Sequence, residues 1–211
     1  MIETLDAGAT RDMLRAVAKH VIANVDRLTD ADLATGDGDH GIGMRRGFEA
    51  ALEALEAVES NDVASSFKAV GTAIVSQTGG AAGAVFGTLF RSGAKAFGAA
   101  AAMDAAGLAG FLETGLEFVM QRGGVVPGQK TMVDALAPAA AAAREAAAAG
   151  LQATLAAAAA AAAQGLEATR GMVATTGKAR SLGERSLGHV DPGAITVVLI
   201  LTAMRDFVAA A

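Results

Sequence analysis

Three aspartates and a histidine crowd one glycine-rich stretch, Asp32-Leu-Ala-Thr-Gly-Asp37-Gly-Asp39-His40-Gly41, with all three carboxylates inside eight residues. Like charges this close repel, and a hard divalent cation is the usual remedy. Mg2+ held by a few carboxylates, with its remaining positions on water and phosphate oxygens, suits this short set better than a full calcium cage. The EF-hand pattern fails: counted from Asp37, the fifth position is Gly41 and the twelfth is Phe48, where a bidentate Glu belongs. The plain alternative for any one of these aspartates is a turn that caps a helix.

Three further glycine clusters adjoin polar residues. Gln77-Thr78-Gly79-Gly80-Ala81-Ala82-Gly83 precedes a predicted helix, so its amides and the helix dipole offer a cradle for an anion. Close helix packing at small residues explains the same glycines equally well. The run from Gly123 to Thr131 looks like a P-loop, yet Gln129 intrudes before Lys130-Thr131 and the preceding segment reads as helix, which excludes a Walker A motif. The fourth cluster, from Gly177-Lys178-Ala179-Arg180 to Gly188-His189-Val190-Asp191-Pro192-Gly193, sets cations and glycines ahead of another helix, an arrangement suited to phosphates. His189 stays open between a phosphate contact and a cap. His20, beside Lys19 within a helix, receives no role, and Arg45 and Arg46 read either as a solvated helix face or as part of a partner contact.

Helices must hold these loops. Leu14, Val17, Ala18, Val21, Ile22, Val25 and Leu28 recur at helical spacing, as do Met44, Phe48, Leu52, Leu55 and Val58. Asp62 caps a predicted helix to about Gln77, and Asp104 caps one to about Gln121, with Ala81 to Ala100 forming another between them. Thr131 to Ala149 and Leu151 to Arg170 are alanine-dominated and therefore helical, broken at Gly150. A last helix follows Asp191-Pro192-Gly193, with Pro192 suited to a first turn. The count is eight, and so much alanine predicts close helix approach in a tight bundle or barrel.

Composition agrees. The chain has 211 residues, 53% of them hydrophobic and only 4% aromatic, with no Trp and no Tyr, so an all-α fold in a single domain over 1–211 is expected. Zero cysteines exclude a disulfide scaffold, a thiolate nucleophile and a Cys-bound zinc. A net charge of -5 argues against nucleic acid as a partner. The start has acids and no apolar core of a signal sequence, the charge-free stretch from Ala146 to Leu166 is too weakly apolar for a bilayer, and Ala194 to Met204 is too short. A cytoplasmic protein without a membrane span is expected.

The motifs GDGDHG at Gly36 to Gly41, GGAAG at Gly79 to Gly83, GQKTMVDALAP at Gly128 to Pro138 and LGERSLGHVDPGA at Leu182 to Ala194 resemble, in order and over nearly the whole chain, the dihydroxyacetone kinase L subunit. The resemblance implies a barrel of eight antiparallel helices, with ADP or ATP and two Mg2+ ions bound in the loops at one end. It implies metal ligands at Asp32, Asp37 and Asp39. Nucleotide contacts carry over to His40, Gly41, Ile42 and Gly43, to Ala81, Ala82, Gly123, Met132 and Lys178, and to Asp191, Pro192 and Gly193, with Met132 packing on adenine. The implied reaction is phosphoryl transfer to dihydroxyacetone held on a separate K subunit, with a phosphotransferase-system protein or free ATP as donor, and no general base is assigned on this chain. A kinase subunit for another small ketose and a non-catalytic nucleotide-binding regulator are the alternatives. Within the motifs Gly43 stands where the family usually has Asn, Ala82 where Ser is common, Gln129 where Asp is usual and Lys178 where Arg is usual. Lysine keeps the charge of arginine and loses its planar fork.

Overall fold

In the computed structural model, which describes residues 2–211, aspartate side chains cap four of the nine α-helices, those that begin after Asp6, Asp62, Asp104 and Asp191. The Asp6 carboxylate accepts the Ala9 amide at 2.7 Å and opens α1 (Ala7–Ala23). The first predicted helix does not run unbroken to Leu28. At Asn24 the side-chain amide donates to the His20 carbonyl at 2.8 Å, the backbone leaves helical geometry, and the chain restarts as α2 (Val25–Leu33). Asparagine competes with the helix for its own hydrogen bonds, and this one break turns the expected eight helices into nine among the described residues.

After α3 (His40–Glu56), Asp62 caps α4 (Val63–Thr78) through the Ser65 amide at 2.8 Å. Next, α5 (Gly80–Gly93) ends earlier than its sequence suggests: a 3-10 turn over Ala94–Phe97 and Gly98 at φ +55° stop it. Asp104 caps α6 (Ala105–Gly123) through the Gly107 amide at 2.7 Å, and Gly124 closes that helix in the left-handed conformation that glycine adopts without strain. The alanine helices α7 (Val133–Ala146) and α8 (Leu151–Ala168) part at Gly150, as expected. Last comes α9 (Pro192–Ala210), with Pro192 in its first turn.

Taken in order, α1 packs on α3 and each helix from α3 to α9 packs on the next; α9 then closes back onto α1, while α2 lies against α3 and α9. The result is the expected ring of eight helices, antiparallel to their neighbours across the connections. At one end residues 57–62, 94–104 and 147–150 join β1 (Leu5–Asp6), which pairs antiparallel with β2 (Ala102–Met103). The other end collects residues 34–39, Gly79, 124–132 and 169–191, which with the adjoining helix ends hold all four glycine clusters.

The core differs around the ring. Phe48, Phe67, Phe86, Phe90, Phe97 and Phe111 fill the side formed by α3 to α6, with the Phe67 and Phe111 rings 4.7 Å apart. Each such side chain contributes about 1.5–3 kcal/mol by leaving water. Across α7 and α8 the buried residues are largely alanines, and closeness replaces bulk: Gly165 brings α8 onto the Asp134 carbonyl, whose usual amide donor is missing at Pro138. Helix α9 is long and apolar enough to cross a membrane, but over half of it is buried between α1 and α8.

Candidate functional site

At the loop-rich end, α2 carries Asp32 into the barrel mouth, where it is 7% exposed and accepts the His40 amide at 3.1 Å. The chain then doubles back. A Cβ at Gly36 would collide with the Asp32 carboxylate, and Gly38 sits at φ +79°, so both turns require glycine. This fold-back sets one carboxylate oxygen each of Asp32, Asp37 and Asp39 within 4.8 Å of one another. The capping alternative fails for two of the three: Asp39 holds the N-cap position of α3 with no side-chain cap bond, and the Asp37 carboxylate caps nothing.

Lys178, from the loop before α9, donates from Nζ to Asp37 Oδ1 and Oδ2 at 2.7 and 2.6 Å and to Asp39 Oδ2 at 2.9 Å. The ammonium holds the Asp37 carboxyl below its ordinary range, and both carboxylates raise the lysine in return. These side chains are more than half exposed, so solvent screens the pairs and they are weak. A cation therefore already stands against two members of the triad and is held loosely. Hard oxygen donors at this spacing fit Mg2+.

Around this corner lies a cleft of about 510 Å³, lined by residues from every connection at this end. His40 is buried at its floor, with Nε2 at 2.9 Å from Thr196 Oγ1 on α9, and burial pushes its pKa down. Gly79 and Gly80, at φ +72° and +59°, turn the chain into α5, so the amides of Ala81 and Ala82 in its first turn face a positive helix end without intrahelical partners. Met132, Val119, Val125 and Gly123 give the cleft an apolar wall. Opposite Met132, the Asp191 carboxylate accepts the Ala194 amide at 2.7 Å, and burial pushes this carboxyl up to about 7. Gly193 lets the start of α9 approach: a Cβ there would lie 3.2 Å from Met132 Cβ.

Most of the sequence-selected residues converge here. His40, Gly43, Ala81, Ala82, Gly123, Met132, Lys178, Asp191, Pro192 and Gly193 line the cleft with Asp32 and Asp39, and Asp37 joins through Lys178. Two do not line it. Gly41 is buried against Thr29 and Val25 of α2, and Ile42 is 48% exposed on the outer face of α3. The His189 side chain is exposed while its carbonyl serves a buried bond, and Arg46 sits on the cleft wall. Thr35, Thr78, Phe86, Lys130 and Thr176 also line the cleft, and only their neighbourhood to the glycine clusters marks them in sequence. A Cβ at Gly43 would stand 3.1 Å from the Thr78 methyl, so a larger residue there competes for that space.

Known proteins resemble this chain in sequence and in fold. Residues 34–206 match the model of the DAK2 domain. The ADP-binding subunit DhaL of PEP-dependent dihydroxyacetone kinase 1 from Listeria innocua is 39% identical over 191 residues, covering 90% of this chain and 91% of its own length. The ADP-binding subunit DhaL from Escherichia coli is 37% identical over 176 residues, covering 82% and 84%. L-erythrulose kinase from Pectobacterium atrosepticum is 36% identical over 195 residues, and this chain spans 33% of it. The dihydroxyacetone kinase of C. freundii in complex with AMP-PNP and Mg2+ superposes with a TM-score of 0.72 at 24% identity, over 93% of this chain and 33% of that one. The chain belongs to the DAK2-domain family, alongside the ADP-binding L subunits of dihydroxyacetone kinases, and so to a family of phosphotransferase subunits.

Proposed function

We propose that this chain is the nucleotide- and Mg2+-binding L subunit of a dihydroxyacetone kinase, acting on a ketone held by a separate K-type subunit. The observation that carries this reading is the carboxylate triad within 4.8 Å, paired with Lys178 and opening into the same cleft as the α5 amides. Asp32, Asp37 and Asp39 hold one or two Mg2+ ions, which when bound neutralise phosphate charge. The amides of Ala81 and Ala82 donate to phosphate oxygens, and His40, held neutral by burial, lies at the floor of the same cleft. Lys178, released from Asp37 and Asp39, turns its charge to the phosphates. Gly43, Gly123, Met132 and the Asp191-Pro192-Gly193 turn enclose the nucleoside. Phosphoryl transfer asks the protein chiefly for position and charge neutralisation, which this cleft is built to give.

An acceptor must also be held in line, and that alignment is worth about 7 kcal/mol or more of barrier. The polar residues of the cleft are taken up by the nucleotide, so the acceptor belongs to a partner. The phosphoryl donor is either a phosphotransferase-system protein or free ATP; the relatives from Listeria innocua and Escherichia coli are named PEP-dependent. Cytoplasmic placement follows the supply of Mg2+ and adenine nucleotide.

Turnover tests the reading. Dihydroxyacetone phosphorylation appears when a K-type subunit and a donor are supplied together with this chain, and is negligible with the chain and ATP alone. Ordinary kinase turnover by the isolated chain contradicts the two-subunit reading. A four-carbon ketose is a second acceptor, favoured by the 36% identity to L-erythrulose kinase over 90% of this chain. L-erythrulose in the same assay separates the two.

A further inference from the structure

Lys130 is the only non-glycine residue with a left-handed backbone among those described, at φ +60°, and it is 3% exposed. A bulky residue rarely adopts this conformation, and a buried ammonium needs full hydrogen bonding. The phosphoryl-transfer account leaves it without a task. Its Nζ donates to the carbonyls of Thr169 and His189, the two ends of the loop between α8 and α9. Thr169 passes the connection on: its hydroxyl accepts the Asp191 amide at 3.0 Å and donates to the Leu166 carbonyl at 2.6 Å. Arg170 adds a second tie, its amide oxygen accepting from Gly188 and its guanidinium donating back to the Gly188 carbonyl at 2.7 Å.

The geometry of the cleft gives this network a function. Met132 lies two residues after Lys130, and Gly193 lies two residues after Asp191. These residues face each other as the two walls of the apolar slot, with a Cβ on Gly193 only 3.2 Å from Met132 Cβ. One buried ammonium therefore ties both walls to a common anchor. The carboxylates of Asp134 and Asp191 supply nearby countercharge, and Asp134 shapes the same loop by accepting the amides of Gly128 and Thr131.

We propose that Lys130 is a positioning residue that fixes the spacing between Met132 and Gly193, and so sets affinity for the nucleoside without acting on the metal and phosphate half of the site. The proposal rests on the nucleotide reading above. A preformed slot binds its ligand without a further ordering cost, so loosening the walls weakens the base contact alone.

Calorimetric titration of the full chain with ADP and with inorganic pyrophosphate, each in Mg2+, separates the two halves. Lys130→Met keeps the stem and removes the donors; it should weaken ADP by about tenfold or more and leave pyrophosphate within about twofold. Equal weakening of both ligands, or unchanged ADP affinity in a folded variant, overturns the proposal. Should Lys130→Met fail to fold, Thr169→Val removes the Asp191 anchor at similar volume. It should shift the ADP to pyrophosphate ratio in the same direction, and an unchanged ratio overturns the assignment. A wild-type chain that binds ADP no more tightly than pyrophosphate overturns the nucleoside slot itself, whereas a wild type that discriminates and a Lys130→Met that discriminates equally overturns only the role of Lys130.

Discussion

The helix caps at one end of the barrel and the carboxylate triad at the other put aspartate to opposite uses. At the end that gathers the chain start and the short connections, Asp6, Asp62 and Asp104 each accept the amide of the third residue onward, at 2.7, 2.8 and 2.7 Å, and each starts a helix. At the other end Asp39 occupies the N-cap of α3 without a side-chain cap bond, its backbone at φ -86° and ψ -13°, while the His40 amide that opens the helix goes to Asp32, eight residues earlier. Asp37 and Asp39 are left facing Asp32 and a lysine. A carboxylate satisfied by its own helix, as Asp191 also is at the triad's end of the barrel, fixes the backbone around it. One relieved of that bond, and crowded by others, is available to a cation.

The comparison breaks most sharply at the triad. Asp37→Asn combined with Asp39→Asn should reduce ADP affinity in Mg2+ by about a hundredfold or more, since each removes a hard anionic ligand, while the thermal midpoint stays unchanged. Titration calorimetry and circular dichroism check the two halves, and a variant that unfolds would return these residues to a structural role. At the opposite end the effects exchange. Asp62→Ala or Asp104→Ala should cost about 1 kcal/mol in urea denaturation and leave ADP affinity intact.

A smaller effect concerns His40. Burial holds its folded pKa below the ordinary 6.5, so the unfolded chain takes up a proton first as pH falls, and stability is lost from about 6.5 down to the folded value. His40→Gln lacks this titration, so in metal-free buffer the stability difference should shift toward the variant between about pH 7.5 and 5.5. Asp191, pushed up to about 7, works the other way: its folded carboxyl gains a proton as pH falls, which adds stability. That contribution is common to both proteins and cancels in the difference. A constant difference across this range would show that His40 titrates freely.

The parts of this molecule legible in sequence are those decided within a few residues. Asp62, Asp104 and Asp191-Pro192 announce helix starts because a cap and its amide are three positions apart, and Gly150 announces a break by its left-handed backbone. Asn24 hid its break, since asparagine also sits inside helices and only its bond to the His20 carbonyl decides the matter. Closure of α9 onto α1 depends on contacts across the whole chain. Lys178 showed its charge in sequence; its pairing with Asp37, 141 residues away, exists because the ring brings the loops together. Ile42 shares the motif of His40 and Gly41, yet two residues beyond His40 is about 200° around a helix, which turns its side chain outward. Thr196 carries no local mark and Lys130 only its place in a glycine cluster, because their bonds run to loops and helices 39 and 156 residues distant.

The most direct test of the carboxylate cleft is ADP binding with and without its cation. Titration calorimetry in Mg2+ should give saturable binding that disappears in excess EDTA and returns when Mg2+ is restored, because the triad repels phosphates until a cation stands between them. Undiminished ADP affinity in EDTA would contradict the account, leaving the three aspartates as a fold-back turn held by Lys178 and moving the nucleotide away from them.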